Sequence, residues 1–246
     1  MKLIKLDAIN STNSFLKDLA TNSTLEKFTV VVTDHQTSGR GQINNLWESE
    51  PYKNLTFSIF TPLKKMSIEH QAFLNFAVSV AIYEVLSSRS IPKLSIKWPN
   101  DILSDNQKIC GILIETTFSQ HHIKNTIIGI GLNVNQDTFS KTLPNASSLK
   151  IIMKKEYDLE PLMNSIIENI QSKISLVEKG DYDTIHKQYH AVLYKKGVPT
   201  TFIDKKTNSF FMGIIIGVNS KGYLQIQKGD DSIANYDIKE IAFAKV

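Results

Sequence analysis

Two short segments of this 246-residue sequence concentrate the side chains best suited to handling anions. One is TSGRGQINNLW at residues 37–47; the other is KWPND at residues 97–101, followed by KICGILIE at residues 108–115. Of the 28 Lys and Arg residues only Arg40 and Arg89 are arginine, and Trp47 and Trp98 are the only tryptophans, so one arginine and both tryptophans fall inside these segments. Lysine is the default cation of this chain, and an arginine between Gly39 and Gly41 points to a need for a planar, forked donor set. The two glycines let the backbone fold closely around a small anion. The pattern is not a P-loop, which ends in Gly-Lys-Ser/Thr, and a surface loop with an incidental arginine stays open as the alternative. For KWPND the alternative is a plain hairpin, with Pro99 ending a strand, Asn100 and Asp101 turning the chain and Asp105-Asn106 making a second tight turn.

A third stretch, IIGIGLNVN at residues 127–135, carries information in its parity. In a strand, Ile127, Gly129, Gly131 and Asn133 share one face, while Ile128, Ile130, Leu132 and Val134 share the other. One face packs; the opposite face is stripped of side chains and ends in an amide. Glycines weaken a strand, so the bare face predicts either a ligand bed or a neighbouring element packed closely over it. As a ligand bed it would let the amide of Asn133 read an adenine-type edge, because an amide offers donor and acceptor together.

The elements that position these residues follow from apolar periodicity. Strands are predicted at residues 2–6, 28–33, 54–60, 94–98, 108–118 and 126–135. Asn10-Ser11-Thr12-Asn13 is a cluster of helix-capping residues ahead of FLKDLA, and the exposed N–H groups of that helix start would face any polar ligand nearby. Residues 67–89 form the longest helical pattern, apolar nearly all round and so a buried scaffold helix. Residues 159–193 read as helix in two pieces broken at Gly180-Asp181, and residues 145–149 as a helix start. From residue 200 onward the chain turns to short strands with turns at 204–208, 220–222 and 229–231, which predicts a small barrel of about five strands and a boundary near residue 197.

Composition excludes several classes. A net charge of +4 from scattered lysines argues for solubility more than for nucleic acid. Cys110 is the single cysteine, so no internal disulfide framework exists, and its place in an apolar strand predicts an inert thiol. No apolar run approaches the ~20 residues that span a bilayer, and nothing at the N-terminus reads as a signal peptide, so the cytoplasm is the expected location. His186 and His190 stand at the spacing of zinc-protease histidines, but Lys187 occupies the place of the catalytic glutamate. His121-His122 lies in a polar turn and is expected to face solvent.

In order, STN (11–13), QTSGRGQ (36–42) with Trp47 shortly after, KWPND, K-x-x-G-I-L-x-E (108–115), GIGLNVN (129–135), ASSL (146–149) and a small C-terminal β domain resemble the biotin–protein ligases across essentially the whole chain. The resemblance implies an α/β fold, with a catalytic domain like that of class II aminoacyl-tRNA synthetases built on a mixed β-sheet (residues 1–196) and an SH3-like β-barrel domain (residues 197–246). It implies a monofunctional enzyme without an N-terminal DNA-binding domain, hence no DNA and no membrane among its partners; both monomers and homodimers fit. The implied reaction joins biotin to ATP as biotinyl-5′-AMP, with Mg²⁺ escorting the triphosphate, and then transfers biotin to a lysine of a biotin carboxyl carrier protein.

By the same resemblance, Lys108 is the principal transition-state stabiliser and Arg40 the second catalytic cation. Ser11, Thr12, Asn13, Gln36, Gly39, Arg40, Lys108 and Gly111 are implied to bind biotin. Arg40, Trp47, Lys97, Asn100, Asp101, Gly129, Gly131 and Asn133 are implied to bind ATP or the adenylate, Asp101 being the candidate Mg²⁺ ligand. Gln42 stands where relatives often carry a second arginine, and Asn44 and Asn45 where glycine and arginine are common. Two rival readings remain at this stage: a lipoate–protein ligase, which shares the adenylate chemistry, and a non-catalytic binding module.

Overall fold

The computed structural model describes residues 2–43, 45–63 and 66–244; of the loop residues singled out above, Asn44 lies outside the described set. Seven strands, β1 (Leu3–Ile9), β2 (Thr29–Gln36), β3 (Leu55–Pro62), β4 (Leu94–Lys97), β5 (Asp101–Ser104), β6 (Gln107–Ser119) and β7 (His122–Leu132), form one sheet in the order β1-β2-β3-β7-β6-β5-β4. The sheet is mixed: β1 runs parallel to β2, and every other pair is antiparallel. Asp105 and Asn106, both at positive φ, make the tight turn between β5 and β6.

Strand parity divides this sheet into two chemically different faces. Phe57, Ile59, Ile112, Ile128, Ile130 and Leu132 point to one side, where they pack in the main core with helices α2 (Ala72–Ser87) and α4 (Leu159–Glu178). On the other side α1 (Thr12–Asn22) covers one end, its Leu16 packing with Val31, Phe60 and Ile127. Beyond that end the same face carries Thr56 and Ser58 of β3, Gly129 and Gly131 of β7, and Gly111 of β6, with Gly111 and Gly131 directly opposite one another in the ladder. The sheet thus has a packed face and a bare one.

The helical expectation for residues 67–89 needs correction. It resolves into a 3-10 turn (Ile68–His70) and α2, and the 20-residue α4 is the longer helix. Uniform apolarity makes α2 easy to see in sequence; α4 alternates buried Ile and Leu with polar residues and even buries Lys173, whose Nζ binds Glu84 Oε1 at 2.6 Å and Gln188 Oε1 at 3.0 Å. That ion pair ties α4 to α2 and to α5 (Tyr182–Ala191). Ser11 caps α1, and Ser148 caps the short helix α3 (Leu149–Met153).

Five further strands, β8 (Pro199–Asp204), β9 (Ser209–Val218), β10 (Leu224–Lys228), β11 (Ile233–Tyr236) and β12 (Ile241–Phe243), make a second, antiparallel sheet in the order β11-β10-β9-β8-β12. Its buried Phe202, Ile215, Val218, Leu224 and Ile226 run continuously into the main core. Polar contacts join this sheet to the β4–β5 turn and to α5. Trp98 Nε1 donates to Gly222 O at 2.9 Å, and two histidines of α5 hold the end of β9. The latter are the zinc-like pair: neutral His190 accepts from Val218 N–H through Nε2 at 2.9 Å, while His186 Nε2 donates to Val218 O at 2.7 Å. Among the described residues no helix is long and apolar enough to cross a membrane.

Burial, and next the neighbouring His186, push His190 down from 6.5 to about 4. A folded-state value below the unfolded one means that the unfolded chain binds the proton more tightly. The stability contributed by neutral His190 is therefore present above about pH 6.5 and is lost as pH falls toward about 4. His190→Gln should flatten the loss of thermal midpoint between about pH 7 and pH 4.5 relative to the parent chain; an unchanged pH slope would count against the histidine clasp.

Candidate active site

The bare face becomes a site because three segments lean over it. The α1 N-terminus supplies Ser11, Thr12 and Asn13, the glycine loop after β2 supplies Arg40 and Trp47, and the β4–β5 turn supplies Pro99, Asn100 and Asp101; with Lys108, Gly111, Gly129 and Gly131 they line a cavity of about 240 Å³. Thr12 N–H donates to Gln36 Oε1 at 2.8 Å, and Thr12 Oγ1 lies 3.1 Å from the same oxygen. Ser58 Oγ donates to Asn13 Oδ1 at 2.6 Å and sits 2.7 Å from Thr12 Oγ1. Hydroxyls and amides are therefore clustered at one end of the cavity.

Two cations line the same cavity, Lys108 from β6 and Arg40 from the glycine loop. Lys108 reaches the bare face through a β-bulge: Leu103 and Ile102 of β5 pair with Lys108 and Cys110 of β6, so Ile109 is the extra residue. Ile109 and Cys110 both turn into the core, and burial pushes the Cys110 thiol far up, as expected of an inert cysteine. With parity shifted by one residue, the Lys108 ammonium comes to lie beside Gly111 and 5.8 Å above the Trp47 ring. Its backbone is clamped by Lys108 N–H to Asn145 O (2.7 Å) and Ser147 N–H to Lys108 O (2.9 Å). Lys108 Nζ pairs with Asp101 at 2.7 Å, and Arg40 Nη2 with Glu115 at 2.8 Å. Each cation thus has an internal carboxylate, which offsets the cost of holding charge in a half-buried cleft. Asn100 uses its Nδ2 to hold Ile112 O at 2.7 Å, locking the β4–β5 turn onto β6.

The glycine face is closely covered by neighbouring side chains and also lines the cavity. A Cβ at Gly129 would run into the Asn13 side chain, and one at Gly131 into the Trp47 indole, so the glycines admit close neighbours and also floor the cavity. The Trp47 Nε1 is buried and has no hydrogen-bond partner among the described residues.

Three residues expected at the site are not brought into the cavity. The strand that was to carry Asn133 ends at Leu132. Beyond the ladder, Asn133 is 3% exposed and its Nδ2 donates to Ser147 O at 2.9 Å, so the amide braces the α3 entry instead of facing a ligand. Lys97 projects toward the second sheet, its Nζ 5.0 Å over the Phe243 ring, and burial lowers its pKa. Gly39 lies behind the loop, packed on Gln36 and the Trp47 backbone. Conversely Ser58, Glu115 and Ile238 belong to the site and were missed. Ser58 and Glu115 were readable from parity, as polar residues on the glycine face; Ile238 arrives from the second sheet, which no local pattern announces.

Residues 6–133 match the Biotin/lipoate A/B protein ligase family. Along almost its full length the chain is also similar to a solved structure of the biotin protein ligase from Aquifex aeolicus in complex with biotin and ATP, with a TM-score of 0.82 at 22% identity, covering 100% of this chain and 99% of that one. Among curated proteins it is 29% identical over 242 residues to the bifunctional ligase/repressor BirA of Bacillus spizizenii, covering 96% of this chain and 73% of that protein. It is 25% identical over 177 residues to the biotin–[acetyl-CoA-carboxylase] ligase of Mycobacterium tuberculosis, covering 69% of this chain and 64% of that one. The fold is that of the biotin protein ligases: a catalytic domain like the class II aminoacyl-tRNA synthetases with an SH3-like domain after it. The chain belongs to the Biotin/lipoate A/B protein ligase family.

Because the Trp47 indole rests where a side chain at position 131 would have to go, Gly131→Ala should expel it from the cleft. In a Trp98→Phe background, which leaves Trp47 as the sole tryptophan, the emission maximum under tryptophan-selective excitation should move to longer wavelength; an unmoved spectrum would mean that the indole does not occupy the glycine bed.

Proposed function

We propose that this chain is a biotin–protein ligase, which activates biotin with ATP as biotinyl-5′-AMP and passes it to a lysine of a biotin carboxyl carrier domain. The observation that carries this reading is a pair of cations, Lys108 and Arg40, on the rim of a cavity floored by Gly111 and Gly131. The first step joins two anions. A carboxylate oxygen of biotin attacks the α-phosphorus of ATP, the bond from that phosphorus to the bridging oxygen breaks, and pyrophosphate leaves. Cations must hold both partners in line and neutralise the charge that develops on the phosphoryl oxygens. Lys108, beside the glycine floor, is suited to bridge carboxylate and α-phosphate, and Arg40 offers further donors from the loop above them.

Thr12, Gln36 and Ser58 suit the ureido ring of biotin, whose N–H and C=O groups need acceptors and donors; the dithiolane ring of lipoate has neither, and a site built of such partners discriminates against it. Trp47 over the glycine bed would keep water from the reactive anhydride. In the second step the neutral amine of the acceptor lysine attacks the anhydride carbonyl, an amide forms and AMP leaves.

Among the described residues no cluster of three or more His, Cys, Asp or Glu side chains would hold a metal unaided. Mg²⁺ therefore fits as an ion carried on the triphosphate, with Asp101 as a protein ligand, and it would supply neutralisation of phosphate charge. The similarity to a protein named biotin–[acetyl-CoA-carboxylase] ligase supports a carboxylase biotinyl domain as acceptor.

Pyrophosphate release from ATP should depend on biotin and not on lipoate. Lys108→Ala should lower it well over tenfold, since one preorganised charge is worth about 3 kcal/mol in such a transition state. Release supported by lipoate would move the protein to the other branch of its family, and a Lys108→Ala rate within a few-fold of the parent would remove that lysine from the chemistry.

A further inference from the structure

The proposed chemistry makes no use of Glu115, yet its carboxylate is the meeting point of two parts of the site. A single oxygen, Oε2, accepts from Arg40 Nη2 at 2.8 Å and from Asn13 Nδ2 at 2.7 Å. Arg40 belongs to the glycine loop and Asn13 to the first turn of α1, while Glu115 itself stands on β6, the rigid strand that also carries Lys108 and Gly111. From Asn13 the contacts run on through Ser58 to Thr12 and Gln36, the residue that immediately precedes the loop. The loop is thus held at its root by Gln36 and near its tip by Glu115.

At the root, Thr37 N–H donates to Ile9 O (2.9 Å) and Ser38 N–H to Asn10 O (3.0 Å), and farther along the Trp47 indole rests on Gly131. Between these points, among the described residues, the backbone contacts Gly41 N–H to Asn45 O (2.7 Å), Asn45 N–H to Gln42 O (3.1 Å) and Trp47 N–H to Gly39 O (2.9 Å) are internal to the loop, and Leu46 is 72% exposed. A loop that bonds mainly to itself is free to swing as a unit unless a side chain ties it to the scaffold. Beyond Ser38 the polar side-chain tie among the described residues is the Arg40 guanidinium, and Glu115 is its anchor.

We propose that Glu115 is a positioning residue: by accepting from Arg40 and Asn13 together, it fixes the glycine loop and its Trp47 over the glycine floor and couples that closure to the hydroxyl and amide cluster under the acid. The ligand side of this inference rests on the biotin–protein ligase reading; the loop side does not. Three consequences separate positioning from a general packing role. First, with preformed biotinyl-5′-adenylate as the titrant, Glu115→Ala should weaken binding about tenfold, the usual effect of losing a hydrogen bond to a charged group. Second, Glu115→Ala made in an Arg40→Ala background should add clearly less than it does alone, because the loop contact is already gone and only the Asn13 contact is left to lose. Third, in ligand-free protein the amides of Gly41 and Trp47 should exchange about tenfold faster in Glu115→Ala while the β6–β7 amides keep their protection. Glu115→Gln, which keeps the size and one acceptor oxygen, should fall between the parent and the alanine variant on every readout and carries the test if the alanine variant is unstable.

Additive losses in the double variant, or unchanged loop exchange, would overturn the proposal. A parent chain that fails to bind the adenylate at all would instead overturn the ligase reading, and the exchange experiment would still decide whether Glu115 holds the loop.

Discussion

The constraint on which the rest of the structure depends is the antiparallel pairing of Gly111 with Gly131 in the centre of the main sheet. A sheet interior ordinarily projects a side chain at every second residue on each face. Here the face opposite α2 and α4 is bare at adjacent positions on two neighbouring strands, and Gly129 extends the gap. The hollow, in which the Trp47 indole lies, is therefore a property of the backbone ladder. Its rigidity is secured from behind, where Ile112, Ile128, Ile130 and Leu132 of the same strands are buried in the core. Stability and cavity are produced by the same alternation.

Charge is handled with similar economy. Two cations lining one cavity repel one another and lose part of their hydration, a cost that carboxylate partners offset. Asp101 and Glu115 supply those partners from strands already adjacent in the sheet, one at the start of β5 and one on β6. A guanidinium has five N–H donors and an ammonium three, so pairing with one carboxylate leaves donors for an anionic ligand. The site is in this sense preorganised: under the proposed chemistry, anions meet cations that are already oriented.

Much of this was legible in the sequence, and the reasons differ by element. Strand parity exposed the bare face of β7 because isoleucine and glycine alternate from Ile128 to Gly131. Rarity exposed Arg40, Trp47 and Trp98, since each is unusual against a lysine-rich background. Parity misled at Asn133 because the strand stops one residue earlier, and nothing in the letters distinguishes a last strand residue from a first loop residue. The bulge at Ile109 was likewise silent: two consecutive apolar residues read as ordinary strand, although the bulge is what turns Lys108 toward Gly111. Lys97 was misjudged by proximity in sequence to Asn100 and Asp101; the turn between them sends its side chain under the second sheet.

The second sheet is the part whose contribution was least visible, because its influence is exerted through contacts between residues far apart in the chain. Trp98 stands inside the KWPND turn, and its indole N–H is used on Gly222 O rather than on anything in the cavity. That bond, with the histidine clasp at Val218, holds the second sheet against the β4–β5 turn and brings Ile238 to the cavity wall. The turn that carries Asn100 and Asp101 is consequently held from two sides, by Asn100 on Ile112 O within the main sheet and by Trp98 on Gly222 O across the junction. Asp101 in turn holds Lys108. A short series of contacts thus runs from the second sheet to the lysine: Gly222 to Trp98, along the turn to Asp101, and across the ion pair to Lys108. The second sheet is in this way a structural brace for the cation that the proposed chemistry needs most.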